Sequence, residues 1–317
     1  MSTWIGIDVS KETLDFAWTL NGVKAHQKVP NSEKGFLQML EAAPADSCYV
    51  MEATGSYYIN VALFLHEKGL HVAVVNPIRI RGHMKADMSR TKTDKADAHS
   101  IARFGEEKKP QAWYALKPEV AEMKQLIALD GEVCKQIGRL RNLKEATSCS
   151  VLASSDVLDG ISRMMHYMTM ERQAIQAQLE AVADKVGSRE VEIMASIPGI
   201  GRSTALKMFA AIGDFRRFEN SRKLVSFLGL SPLQRQSGTS IHSKGHISRM
   251  GGTRIRGNLY VCAWTAIRLN PQCKAMWERL RANGMHGKKA IVAVMSKLIR
   301  QMYSMVINDR MYDPAFR

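Results

Sequence analysis

Hydrophobic positions in the first 77 residues repeat in two ways, which predict strands and helices in turn. In TWIGIDVS, residues 3–10, Ile5 and Ile7 alternate with Gly6 and Asp8, as is typical of a strand. The spacing of hydrophobic residues also predicts strands at 13–20, 23–30, 47–54 and 71–77, and helices at 33–43 and 55–69. Three strands, a helix and then an alternation of strand and helix predict an α/β mixed sheet with helices packed on it.

The pattern changes between residues 118 and 187, where apolar residues recur at steps of three and four. Two seams run through this segment, and each is broken once by a charge, at Asp130 and at Arg172. A coiled-coil helical hairpin is the natural interpretation. An ordinary helical bundle with Met-rich core stripes is the alternative, and the partner helix can belong to the same chain or to another copy.

The last third is mainly α-helical in pattern and is punctuated by glycine-rich turns. These turns are IPGIG (197–201), GLSPLQRQSGTS (229–240) and SKGHISRMGGTRIRGNLY (243–260). The sequence therefore divides into a mixed-sheet domain at 1–110, a hairpin at 115–187 and a mainly α-helical domain at 188–317.

Charge is distributed unevenly between these parts. Residues 188–317 hold 22 Lys and Arg against 7 Asp and Glu, an excess that equals the whole net charge of +15. An electrically neutral segment, residues 1–187, joined to a strongly basic one, residues 188–317, indicates that the basic segment binds a polyanion. Nucleic acid fits better than a membrane surface, because the cations lie among Gly, Ser and Thr loops and not on one long amphipathic helix.

Several other classes of protein are disfavoured by composition. The five cysteines are scattered without a CxxC pair, which argues against a zinc ribbon or disulfide framework and favours a reducing cytoplasm. We expect no apolar run long enough to cross a bilayer. The start MSTWIGIDVS lacks the basic region of a signal peptide, so none is expected.

Two aspartates three residues apart stand in the stretch KTDKADAHSIARF, residues 92–104. The stretch predicts a helix from Lys95 on, which places Asp94 and Asp97 on one face. The simplest interpretation is a solvated helix start, where acidic residues favour the positive end of the helix dipole. The alternative is a divalent cation that needs both carboxylates.

Two further carboxylates stand inside predicted strands. Asp8 ends the first strand, and Glu52 lies near the end of the fourth, in VMEAT. Buried carboxylates are costly unless they are paired or bound to a metal. If the two strands are neighbours, both side chains meet at one edge of the sheet, and the helix with Asp94 and Asp97 can complete a cluster. Two hard cations about 3.5–4 Å apart, held by such oxygens, suit phosphoryl transfer.

These stretches resemble a known family. GIDVSKETLDFAW, VMEATGSYY and KTDKADAHSIARF are similar to motifs of the DEDD insertion-sequence transposases, relatives of the Piv-type DNA invertases. The similarity extends over essentially the whole chain, since IPGIGRSTALKMFAAIGDFRRF and LVSFLGLSPLQRQSG resemble the family's C-terminal domain. The resemblance implies an RNase H-like (RuvC-like) first domain, in which Asp8, Glu52, Asp94 and Asp97 hold two Mg²⁺ ions.

The resemblance also implies a serine nucleophile, which corresponds here to Ser237 in QSG. From the residues alone Ser237 reads as an ordinary loop serine, and no His is adjacent in sequence to serve as its base. Ser240 is the second candidate, because the same loop is rich in hydroxyl groups.

IPGIG carries a separate prediction of nucleic-acid contact. Between two predicted helices, Gly199 and Gly201 would expose backbone N–H groups at a helix start, as in a helix-hairpin-helix motif. A plain turn between helices is the alternative. Arginines and a lysine near the glycine-rich turns are candidate phosphate contacts: Arg202, Arg235, Lys244, Arg249, Arg254 and Arg256. They are equally compatible with solvated surface charges.

The favoured function is a site-specific DNA recombinase that moves an insertion sequence. The resemblance implies a phosphoserine intermediate, a bridge RNA that pairs with donor and target DNA, and a dimer or tetramer in which one protomer's acidic domain works with another's serine. It also implies a bacterial cytoplasmic protein that is associated with the nucleoid when active. The alternatives are a junction-resolving endonuclease with the same acidic core and a non-enzymatic nucleic-acid-binding protein.

Overall fold

The computed structural model describes residues 3–53, 55–86, 93–233, 236–237, 241–242, 246–247 and 252–315. The chain forms two compact units, Met1–Ala115 and Leu116–Arg317. The first is built around a sheet and the second is mostly helical.

A five-stranded mixed sheet forms the centre of the first unit. Its strands follow the order β3-β2-β1-β4-β5. Strands β1, β2 and β3 pair antiparallel, whereas β1, β4 and β5 pair parallel. The strands are β1 (Trp4–Val9), β2 (Thr13–Leu20), β3 (Val23–Pro30), β4 (Cys48–Glu52) and β5 (Val72–Val75). The α/β mixed sheet predicted from the periodicity is confirmed.

Helices cover both faces of this sheet. They are α1 (Glu33–Ala42), α2 (Ile59–Glu67), α3 (Pro77–Ala86) and α4 (Asp94–Lys108). Odd-numbered β1 residues such as Ile5 and Ile7 share a core with Phe36 of α1 and Leu65 of α2. Trp4, on the opposite face, packs with residues of α3 and α4. The alternation of side chains along β1 thus assigns Gly6 and Asp8 to the α4 side.

Helix α4 crosses β1 at very close range. A Cβ atom at Gly6 would overlap the backbone of Ala98 and Ala102, and one at Gly105 would lie 2.6 Å from the Trp4 ring. Small residues on both elements therefore allow the helix to lie directly on the strand, which carries the first turn of α4 towards the end of β1.

The second unit begins with two long antiparallel helices. They are α5 (Pro118–Ser148) and α6 (Ser155–Val186). The two charges that interrupt the predicted seams face one another, with Arg172 Nε donating to the buried Asp130 Oδ1 at 2.9 Å. Gln176 donates to the same oxygen at 3.1 Å.

The remaining helices form one core with the start of α5 and the end of α6. They are α7 (Ser188–Ala195), α8 (Arg202–Ile212), α9 (Ser221–Phe227), α10 (Thr253–Leu269), α11 (Pro271–Ala282) and α12 (Gly287–Ile307). The mainly helical character predicted for this region is confirmed.

Helix α12 has a composition that the sequence interpretation overlooked. Its 21 residues are long and apolar enough to span a membrane by length and composition alone. It also contributes to the core of its unit, where Ile291, Val294, Leu298 and Ile299 are fully buried. Its hydrophobicity is accounted for by this packing.

Four two-residue strands form two small pairs. They are β6 (Pro232–Leu233), β7 (Gln236–Ser237), β8 (Ile241–His242) and β9 (His246–Ile247). Strand β6 pairs with β9, and β7 pairs with β8.

Candidate active site

Asp8 and Glu52 lie side by side at the carboxyl ends of two parallel strands. The last paired residues of β1 and β4 are Ile7 and Met51, and the two acids follow them directly. Val50 packs on the α4 side of the sheet, so Glu52, two residues on, faces the same side as Asp8. The condition on which the predicted cluster depends, that these two strands are neighbours, is met.

A line of charged residues continues across the sheet from this point. Asp15 of β2 is directly opposite Asp8, and Lys28 of β3 is directly opposite Asp15. Residues opposite one another in antiparallel strands share a face. Asp8, Asp15 and Lys28 therefore lie in one row on the α4 side, with Glu52 at its end.

Asp15 is a buried carboxylate that the sequence interpretation missed. It is only 6% exposed, and it is held by Lys28 Nζ at 3.1 Å and by His26 Nε2 at 2.9 Å. Its hydrogen bond raises the pKa of the Lys28 ammonium. The available signal was its position in TLDFAWTL, on the opposite face from Leu14 and Phe16, since a charge within such a strand needs a partner.

The first turn of α4 supplies the remaining two carboxylates. Thr93 caps the helix by accepting a hydrogen bond from the Ala96 N–H at 3.2 Å, which fixes the start of the helix. Asp94 and Asp97 both fall in that first turn. Lys28 Nζ lies 3.9 Å from Asp94 Oδ2, so this lysine links β3 to the start of α4.

The electrostatics of Asp8 show that these acids act on one another. Burial, followed in order of size by the charges of Asp97, Asp94, Asp15 and Glu52, raises the pKa of Asp8 to about 6. Asp8 thus lies within electrostatic range of the other three carboxylates named from sequence and of a fifth, Asp15.

The chemistry of this group fits a hard divalent cation in donor type. All five side chains offer carboxylate oxygens, the ligands that Mg²⁺ prefers. The raised pKa of Asp8 reflects burial first and then the negative charge of its neighbours, which a cation at this place would offset. Among the described residues, no three acidic, His or Cys side chains are already close enough together to hold a metal. Binding would require their carboxylates to converge.

His99 lies on α4 near the basic end of the charged row. Burial lowers the pKa of its imidazole, and Lys24 and His26 of β3 lower it further. Its Nε2 atom is buried and has no hydrogen-bond partner in the described part of the chain. The sequence offered no signal for it, because one His in a helical pattern does not reveal which strand it faces.

The predicted nucleophile falls in the small β7–β8 pair. The backbone of Ser237 pairs with Ile241, so Ser237 immediately precedes the connection between the two strands. Ser240, Arg235, Lys244 and Arg249 lie outside the described residues.

The IPGIG turn joins α7 to α8 and packs against α10. Gly199 has φ +102°, and a Cβ there would lie 2.7 Å from that of Ala266. This glycine is therefore needed for the close packing of two elements. Gly201 immediately precedes α8 and has open space around it, so the start of this helix is accessible.

The predicted phosphate contacts that the structure describes make intramolecular contacts. Arg202 donates to Glu180 at 2.7 Å and to Asp184 at 3.1 Å, while Arg254 donates to Glu132 at 2.6 Å. Arg256 donates to Thr253 at 3.2 Å. Any contact between these side chains and a phosphate would have to compete with the protein's own acceptors.

Two family models match the chain. The DEDD transposase model of the IS110 group, described as a transposase, matches residues 5–147, and the model described as the transposase IS116/IS110/IS902 family matches residues 191–278. The first range includes all four predicted carboxylates, and the second includes Ser237.

Similar proteins match over almost their full length. The pilin gene-inverting protein of Moraxella bovis is 28% identical over 318 residues, which cover 98% of each chain. The transposase for insertion sequence element IS1111A of Coxiella burnetii is 23% identical and covers 97% of this chain and 90% of its own. A probable family 20 transposase of Pseudomonas aeruginosa is 21% identical and covers 98% of each chain. The resemblance identified from the motifs is confirmed: over nearly its whole length the chain is similar to insertion-sequence transposases and to a gene-inverting protein.

Proposed function

We propose that this protein is a site-specific recombinase that cuts and rejoins DNA at the ends of an insertion sequence. The observation that carries the proposal is the row Lys28, Asp15 and Asp8, with Glu52 at its end and Asp94 and Asp97 above it. Five carboxylates gathered at one edge of a sheet are unfavourable in a simple polyanion binder, because they repel phosphate. They suit a cation-assisted reaction on a phosphodiester.

The strand order and pairing of the first unit support an RNase H-like fold for it. In that arrangement Asp8, Glu52, Asp94 and Asp97 would hold Mg²⁺, which when bound polarises the phosphate and stabilises the departing oxygen. Asp15 keeps Lys28 at the border of the acidic group. The ammonium gives an incoming phosphate a favourable contact beside otherwise repulsive charges.

Ser237 is the proposed nucleophile. Its Oγ would form a bond to phosphorus while the bond to the leaving DNA oxygen breaks, and the serine proton ends on that oxygen. Attack by the hydroxyl of another DNA strand would then restore a phosphodiester and release the serine. The number of phosphoester bonds is unchanged at each step, so the energy needed for rejoining is retained.

The wider assembly is proposed from the family resemblance. Donor and target DNA would be paired by a bridge RNA, and a dimer or tetramer would combine the acidic domain of one protomer with the serine of another. The helix-hairpin-helix role of IPGIG and the domain limits 1–110, 115–187 and 188–317 belong to the same proposal. Action in the cytoplasm, at the nucleoid, follows from a DNA substrate.

A trapping experiment tests the serine. Wild type, Ser237→Ala and Ser240→Ala are incubated with nicked element-end DNA and Mg²⁺, and adducts are resolved on a denaturing gel and mapped by peptide analysis. We expect an adduct on Ser237 that only Ser237→Ala removes. Ser226→Ala is the control, since Ser226 is an exposed serine of α9.

The possible outcomes separate the mechanisms. An adduct on Ser240 moves the nucleophile by three residues and keeps covalent chemistry. Recombination that persists in the Ser237→Ala, Ser240→Ala double variant contradicts it. Cleavage without rejoining or adduct supports the junction-resolving endonuclease instead.

A further inference from the structure

One face of helix α10 carries a row of arginines and aromatic residues. At steps of four residues, which place side chains on one face of a helix, they are Arg256, Tyr260, Trp264 and Arg268. Arg268 is exposed, whereas Arg256 is half-buried and donates a hydrogen bond to Thr253. Tyr260 is 40% exposed and Trp264 is 46% exposed. The core of the second unit does not explain these aromatic residues, because α10 packs through a different face.

The buried face of α10 is small and apolar. It consists of Leu259, Cys262, Ala263 and Ala266, each buried in the core of the second unit. The helix is therefore anchored without the aromatic row, and Tyr260 and Trp264 are left at the surface. Large aromatic side chains in such positions mark a binding surface more often than single exposed aliphatic residues do.

The rings of this row contact one another and a third ring on α11. Tyr260 and Trp264 have ring centroids 6.4 Å apart at 82°, and Trp264 and Trp277 of α11 have centroids 5.6 Å apart at 58°. The guanidinium of Arg281 lies 5.9 Å from the Trp277 ring. Three aromatic rings on two helices are thus held together with a cation at the edge.

The combination of rings and arginines determines the partner that fits. An apolar protein segment would match the rings but would offer no negative charge to the arginines. Duplex DNA would match the arginines but keeps its base faces stacked inside the helix. Unpaired nucleotides offer both a flat π-face and a phosphate, and base stacking on aromatic side chains is a general mode of single-strand binding.

We infer that Tyr260 and Trp264, with Arg256, Arg268 and Arg281 around them, form a binding site for unpaired nucleotides. The rings stack on exposed bases, and the arginines contact the phosphates that link those bases. The ligand class rests on the proposed function, because a recombinase must handle strands that have left their duplex. The residues themselves are separate from the carboxylates and from Ser237.

The test measures binding of short nucleic acids to the full chain by fluorescence anisotropy. The probes are a 15-nucleotide oligothymidylate, an oligouridylate of the same length and a 15-base-pair DNA duplex. We expect Trp264→Leu to weaken binding of single strands about 10-fold, equivalent to about 1.4 kcal/mol, and to leave duplex binding within about 2-fold. Trp264→Phe should retain most of the affinity.

Two more variants separate stacking from charge and from surface hydrophobicity. Arg268→Gln should lower the slope of log affinity against log salt by about 0.7 for the single strands, whereas Trp264→Leu should leave that slope unchanged. Tyr167→Leu, which removes an exposed aromatic residue of α6, is the matched control and should change nothing. Stronger loss with the thymidylate or with the uridylate identifies DNA or RNA as the source of the nucleotides.

Other outcomes overturn the inference. Equal weakening of single strands and duplex by Trp264→Leu would show that the row does not recognise unpaired bases. A change in oligomeric state in light scattering with Trp264→Leu, without a selective loss of single-strand binding, would assign the row to contact with a second copy. Single-strand binding that survives both Trp264→Leu and Trp264→Phe rejects the site but leaves the adduct test of Ser237 intact. Failure of wild type to bind any probe would contradict the proposed function itself.

Discussion

Asp8 is a titratable residue at the centre of the acidic group, and its ionisation should be visible in stability. Its pKa is raised from 3.8 to about 6, first by burial and then by its acidic neighbours. A raised carboxyl pKa means that the native state favours the protonated form. The stabilising contribution of protonated Asp8 is therefore complete below about pH 4 and is lost as pH rises through about 6.

Asp8→Asn should remove this component of the pH dependence. In metal-free buffer we expect the variant to gain melting temperature relative to wild type between pH 4 and pH 8, and to lose recombination by more than about 100-fold, since even outer-shell changes cost about 10–100-fold. Calorimetry in EDTA measures the first effect. Identical pH dependence in both proteins would contradict the assignment.

Mg²⁺ should reverse the penalty at high pH. A ligand that binds only the native state raises stability in proportion to the logarithm of its concentration. At pH 8 we therefore expect Mg²⁺ to increase the melting temperature of wild type and to have little effect on Asp8→Asn. The same Mg²⁺ titration at pH 4.5, where Asp8 is protonated, serves as the control.

At the scale of elements, the contact between α4 and β1 depends on the absence of a side chain at Gly6. Gly6→Ala forces a methyl group against the backbone of α4, which cannot move as a flexible side chain can. We expect destabilisation of about 1–3 kcal/mol, the usual cost of overpacking, together with reduced cleavage as Asp94 and Asp97 shift. Gly82→Ala, on α3 with open space around it, is the matched control and should be neutral or stabilising. Urea denaturation measures both.

The buried Asp130 and the partly exposed Arg172 should define the alignment of α5 and α6. Asp130→Leu leaves Arg172 without its acceptor, and we expect a loss of about 1 kcal/mol, because water can reach the guanidinium. The double variant Asp130→Leu, Arg172→Leu should recover much of that loss, because apolar replacements of buried pairs are often tolerated. A double-mutant cycle in denaturant is the measurement, and additive effects would argue against coupling.

How far the sequence could predict these elements depends on the range of the interaction. The strands with Asp8 and Glu52 follow from alternation, which is local. Their adjacency was only a condition of the predicted cluster, because it joins strands that are distant in sequence. Asp15 was missed because alternation alone does not say which face of a strand receives a helix. The ion pairs of Arg202 and Arg254 join residues distant in sequence, so no local pattern contains them.

For the molecule as a whole, the uneven charge should govern binding to nucleic acid. The excess of 15 positive charges in residues 188–317 predicts that counterion release from the second unit dominates affinity. Neutralising three exposed cations of α12, Lys288→Gln, Lys289→Gln and Arg300→Gln, should reduce the salt slope of duplex binding by up to about 0.9 per phosphate contact.

The control places the same change in charge on the first unit. The substitutions Lys11→Gln, Lys34→Gln and Lys68→Gln remove three exposed cations from the first unit. We expect a much smaller change in the salt slope. A larger effect from this triple variant than from the α12 variant would assign the dominant nucleic-acid contact to the first unit.

The row of charges across the sheet has a consequence for protein engineering. Side chains alternate along a strand. Deletion of one residue within β1, β2 or β4 would therefore turn the carboxylate of that strand, Asp8, Asp15 or Glu52, to the opposite face of the sheet. The turn at Asn21 and Gly22, both with positive φ, closes the other end of β2 and β3, six residues beyond Asp15. A short peptide tag or fluorophore inserted between these two residues should report on the protein while leaving the spacing of its acids unchanged.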